Sequence, residues 1–232
     1  MTKFDFNNNG CGPVPAHQHP NGGGWVADTA RVADTAFVGP NAVVFGDARV
    51  YDNSQVFGNA KVCGNAKVYG NAKVYGDSQV FGDSQVFGDA RVYDNSQVFG
   101  NALVYGDATV YGDAKVYDNA KVYGNALVYD RAQVFGNAKV CGNAKVCGKA
   151  KVCGNAKVYE NAQVYGCAEV WDNAQVSGYA EVFGDAKVGS GVIIHNQTVT
   201  YQTVSYHNEP PKEQPEKDRI FINGKWYEEV TN

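Results

Sequence analysis

The chain has 232 residues, enough for one or two domains with a substantial core, but 27 of them are Gly, one is Met, and Leu and Ile are scarce. Its apolar content is almost all Val, Ala, Tyr and Phe, which apart from Ala favour a pleated surface; no stretch has capped helical periodicity and no apolar run is long enough to cross a bilayer. A net charge of −4 with a pI near 5.5 argues against general nucleic-acid binding, and a start without signal-peptide character predicts a soluble, cytoplasmic protein with no membrane partner.

Residues 1–24, rich in Gly, Asn and Pro, read as an irregular cap over the segment that begins at Trp25. From Val26 to Val188 a valine then stands at every sixth position, 28 in all, with Ala or Ser two residues before each one from Val32 onward. The unit is A-K-V-Y-G-N, in which Lys yields to Gln or Arg, Tyr to Phe or Cys, and Asn to Asp. Its period-two alternation puts Ala and Val on one face of a short strand and Lys and Tyr on the other, and Gly-Asn or Gly-Asp, both tolerant of left-handed backbone angles, supplies the turn. Strands this short gain a core only by stacking on their neighbours. Past Val188 the beat weakens: Ile194 keeps phase, a β-rich stretch of Thr, Val and Tyr comes next, then the charged, Pro-rich EPPKEQPEK, then a hairpin pattern about Asn223-Gly224. The predicted divisions are thus a cap at 1–24, a repeat domain at 25–194 and a β-rich extension at 195–232, which can fold back or exchange with another subunit.

Val44 with Ala48, Val104 with Ala108 and Val158 with Ala162 show an aliphatic residue at i and a small one at i+4. In this the chain resembles the hexapeptide-repeat, left-handed parallel β-helix proteins over residues 25 to 194. The resemblance implies an all-β triangular solenoid with three hexads per coil, a left-handed superhelix, and frequent homotrimers. One departure is the aromatic residue after so many valines, where the family usually has a small or polar one. At 18 residues per coil the hexads give about nine coils and a prism on the order of 45 Å long, with an interior too narrow for a ligand.

The acyltransferases of that family imply a catalytic His near a loop that interrupts the coils, and its carbonic anhydrases imply three zinc-binding His. Between Val26 and Val188 this sequence has neither an insertion nor a histidine; His17, His19, His195 and His207 all lie outside. His17 and His19 are spaced as two ligands on one strand face but lack a third, so neither a metal nor another cofactor is expected. Cys141, Cys147 and Cys153 hold one hexad position in successive strands and so diverge onto three faces; Cys63 shares a face with Cys153 but lies five coils away, and Cys11 and Cys167 have no mate, so free thiols are expected.

Sorting by 18 separates three outward aromatic ladders. The Phe-rich one, with Phe45, Phe81, Phe99, Phe135 and Trp171, is the expected subunit interface, because Phe, unlike Tyr, has no hydroxyl to offer water. Charge is segregated too: residues 77 to 113 are acidic, and residues 137 to 159 hold five lysines and no acid. Lys121, Lys139 and Lys157 fall in one column beside Tyr123, Cys141 and Tyr159, and stacked like charges invite an anion. Two functions are expected to compete. One is a non-catalytic homo-oligomeric binding or scaffold module, a trimer by the resemblance, holding an anionic, nucleotide-like molecule between subunits at Lys121, Lys139, Lys157, Tyr123 and Tyr159, with no catalytic residue. The other is an acyltransferase-like enzyme using His195 or His17, with fold-level analogy as its support.

Overall fold

The computed structural model describes residues 2–6 and 12–200, together with the strand backbone of Thr203–Val204, Arg219–Ile222 and Lys225–Glu228. Every hexad becomes one short strand, such as Lys61–Val62 or Lys121–Val122, and each strand pairs in parallel with the strand 18 residues on, as Lys67–Val68 does with Gln85–Val86. Three strands make a coil and three parallel sheets make the sides of a prism, a parallel β-solenoid of about ten turns with the architecture of the left-handed β-helix. We call the sides face 1 (Val26, Val44 and on to Val188), face 2 (Val32, Val50 and on to Ile194) and face 3 (Val38, Val56 and on to Val199).

The pleat sorts the residues as the alternation demands. From Val38 to Val188 the valines of the six-residue beat are fully buried, as are the Ala or Ser two positions before them, while Lys, Gln, Tyr and Phe face outward. Where Ser replaces Ala its hydroxyl is satisfied at once: Ser54, Ser84 and Ser96 donate to the carbonyls of Tyr51, Phe81 and Tyr93 at 2.7–2.8 Å. Along the axis, backbone N–H groups climb from coil to coil, as Lys61 to Ser78 O, Cys63 to Val80 O and Asn65 to Gly82 O.

At the corners the two turn residues divide the work unequally. The left-handed φ falls on the first, as at Gly76 (+70°) or Asp94 (+56°), whereas the Asn or Asp after it keeps a negative φ and ladders with its neighbours along the edge. One edge carries a run of amides, Asn101 to Asn119 to Asn137 to Asn155 to Asn173, each donating to the next at 3.1–3.2 Å.

Both ends depart from the sequence expectation. The cap is partly regular: Val14–Gln18 pairs antiparallel with Trp25–Ala27, and Lys3–Phe4 pairs antiparallel with Val14–Gln18, so that the first edge of face 1 is reduced to a strand of two residues. Phe6 stacks on Phe45 with ring centroids 5.1 Å apart, in one buried cluster with Ala16 and Ala27. At the other end the solenoid continues beyond Ile194 by shortening its step to five residues, so that Val199 pairs with Val182 and Val204 with Val188. This extra run is why about ten turns form rather than nine. Arg219–Ile222 and Lys225–Glu228 pair as an antiparallel hairpin; the turn residues Asn223 and Gly224, the Pro-rich linker, His207 and Cys11 lie outside the described residues.

Candidate functional site

The outward positions form columns one strand spacing apart, so chemistry on this surface is chemistry of columns. The position before each valine on face 2 reads Arg31, Arg49, Lys67, Gln85, Leu103, Lys121, Lys139, Lys157, Gln175 and Ile193. Lys121, Lys139 and Lys157 are directly paired in register, and so are Arg31, Arg49 and Lys67. Neither outward column of face 2 carries a carboxylate, and none of these six cations makes an ion pair among the described residues. Face 1 differs, since its Lys151 meets Glu169 at 3.2 Å.

The first basic column escaped the sequence reading, which followed the lysine-rich stretch and did not sort the arginines by 18. It lines an open groove of about 590 Å³ with His17 and Tyr51. A second groove, about 410 Å³, continues along the adjoining edge through Asp47, Asn65 and Asp83. Like charges held one strand apart repel, and an anion laid along the column relieves that repulsion.

Beside the cations run the ring ladders. On face 2 Tyr51, Tyr69, Phe87, Tyr105 and Tyr123 stack with centroids 4.7–4.9 Å apart and planes within 6°. Face 3 carries Phe57, Tyr75, Tyr93, Tyr111 and Tyr129, and face 1 carries Phe81, Phe99, Tyr117 and Phe135. All three ladders stop in one coil, at Cys141, Cys147 and Cys153, one on each face. Burial raises the phenol pKa values along the stacks. Hydrogen bonding to the Cys141 thiol, with burial second, pushes Tyr123 to about 12, and Tyr129 is raised in the same way by Cys147.

Of the residues expected at an interface, Phe81, Phe99 and Phe135 remain half-buried on face 1. Phe45 is 7% exposed because Phe6 of the same chain covers it, and the Trp171 ring lies over Gly189, whose missing side chain leaves room for it.

The histidines do not form a shared site. His17 is exposed and bonds Asp28 at 2.9 Å, whereas His19 lies past the end of its strand, buried, with Nδ1 3.2 Å from the Asn21 N–H. The two therefore do not share a strand face as their spacing suggested, and no metal-binding cluster occurs among the described residues. His195 at the far end of face 2 bonds Ser177 at 2.9 Å, a pairing that could activate a hydroxyl, but Ser177 is 2% exposed and an acceptor molecule has no path to it. The five described cysteines are free.

Comparison with known proteins agrees with the geometry. Residues 84–100 and 96–112 match the family model described as the YdcK β-solenoid repeat. That match lies inside the hexad repeat and agrees with its β-solenoid fold. Among solved structures this β-helix is similar to an Arabidopsis UDP-N-acetylglucosamine acyltransferase, at 14% identity and a TM-score of 0.41, over 72% of this chain and 71% of that one. That degree of likeness carries no information on activity. No curated protein matches the β-helix.

Proposed function

We propose that the protein is a non-catalytic β-helix that binds a phosphate-bearing small molecule on face 2. The observation that carries this reading is the pair of in-register cation columns, Arg31–Arg49–Lys67 and Lys121–Lys139–Lys157, with no carboxylate in either outward column of that face. A phosphate set along such a column accepts from two or three cations at once, and the rigid backbone fixes their spacing, so that only the side chains are ordered on binding. The half-buried rings Phe81, Phe99 and Phe135 on face 1 suit a homotrimer, which would set face 2 of each subunit beside a groove.

Native mass spectrometry of the protein purified from cells tests both parts. The expected result is a mass of three chains with a retained anionic molecule, and loss of that molecule, or at least a tenfold fall in affinity for inorganic phosphate, in the double variant Lys139→Gln, Lys157→Gln. A bare single chain, phosphate affinity unchanged by the two substitutions, or turnover of acetyl-CoA that His195→Ala abolishes would replace this reading, the last with the acyltransferase-like one.

A further inference from the structure

The ladder on face 2 lacks one ring. Its rungs repeat at 4.9 Å up to Tyr123; the next rung is Cys141, and the one after is Tyr159. The backbone positions that carry the two tyrosines are therefore two rung spacings apart, roughly 10 Å, and a planar ring at the level of Cys141 would sit at the ordinary stacking distance from a ring held on either rung. Among the described residues Tyr123 stacks on Tyr105 alone, and Tyr159 has no ring neighbour.

The molecule completes one such ladder from within. Ala27 leaves face 1 without a ring at its first rung, and Phe6, from outside the hexads, stacks on Phe45 in one buried cluster with Ala27. The gaps at Cys147 and Cys153 are similar in their rings but not in their charge. Lys145 is flanked along its column by Leu127 and Gln163, and Lys151 is engaged by Glu169. At Cys141 the gap lies beside three consecutive lysines, Lys121, Lys139 and Lys157, in the same three hexads as Tyr123, Cys141 and Tyr159.

We propose that the gap at Cys141 is a slot for the planar ring of a nucleotide-like ligand, stacked between Tyr123 and Tyr159 with its phosphate on the Lys121–Lys139–Lys157 column. The slot gives the anion-binding face its ligand class and rests on that reading: the lysines set the charge and the missing rung sets the shape. Tyr is the native residue at five of the rungs on this face, so Cys141→Tyr fills the slot with a ring the fold already accommodates.

The test is calorimetric titration of wild type, Cys141→Tyr and Cys141→Ala with adenosine 5′-monophosphate, adenosine and inorganic phosphate, with thermal unfolding confirming that each variant is folded. Wild type is expected to bind the nucleotide at least tenfold more tightly than phosphate. Cys141→Tyr should abolish that advantage while leaving phosphate affinity within twofold, and Cys141→Ala should retain it. Equal affinity for phosphate and nucleotide in wild type, or a nucleotide affinity that Cys141→Tyr leaves unchanged, overturns the slot and leaves the anion-binding face standing. Failure of wild type to bind either phosphate or nucleotide overturns both.

Discussion

At the corners the sequence alternates between two solutions to one problem. A residue there must take a left-handed φ, and a Cβ at Gly76 would come within 2.8 Å of the Asp94 nitrogen one coil above, so glycine is the usual occupant. Asp52, Asp94, Asp118, Asp130 and Glu160 nevertheless hold this conformation, and each has a glycine one coil above. Each carboxylate accepts from the N–H of that glycine, at 2.6–3.2 Å, a donor that the coil-to-coil backbone ladder leaves unused. The bond offsets a left-handed strain of about 1–2 kcal/mol. Asp94→Ala keeps the strain and loses the bond, so it should destabilise by about 1 kcal/mol, whereas Asp94→Gly loses both and should be nearly neutral. Thermal unfolding of both variants beside wild type checks this; an Ala variant as stable as wild type would show that the bond contributes nothing.

Ladders set the chemistry at the level of elements. Backbone bonds, amide runs and ring stacks all repeat along the axis, so a side chain's surroundings are decided by residues 18 before and 18 after it. Cys63 lies between Phe45 and Phe81 in the face 1 column, packed against the cluster that Phe6 closes, and burial pushes its pKa to about 11 against a smaller opposing effect of Lys61. Cys167 sits at an exposed corner. Because the thiolate is the nucleophile, Cys63 should resist iodoacetamide at pH 8 while Cys167 is alkylated. The Cys63 rate should climb about tenfold per pH unit toward pH 11, the sign expected of a raised thiol pKa. Peptide mapping after timed alkylation measures both, and equal labelling at pH 8 would contradict the burial argument.

Across the whole molecule, stability is that of a stack in which each coil touches only its neighbours. Removing residues 94–111 deletes one coil of 18 and leaves every column aligned, so the shortened protein should fold with a melting temperature within a few degrees of wild type. Removing residues 97–99 shifts the hexads after the deletion by half a repeat against those before it, and should break the stack at that junction and lower the melting temperature well below that of the 18-residue deletion. Circular dichroism melts of the two deletions decide whether the solenoid is modular in this sense. The repeat and the strand faces were legible in the sequence because valine and alanine or serine hold the inward positions from Val38 to Val188, as a narrow interior requires. The divergence of Cys141, Cys147 and Cys153 onto three faces could likewise be read from counting by 18. Counting could not reveal that Phe6 covers Phe45, that the step shortens to five after Ile194, or that corner carboxylates bond glycines a coil above. Those features depend on where irregular segments pack and how far a side chain reaches between coils. A periodic sequence determines its own lattice of neighbours; where the period lapses, only the folded chain decides what meets what.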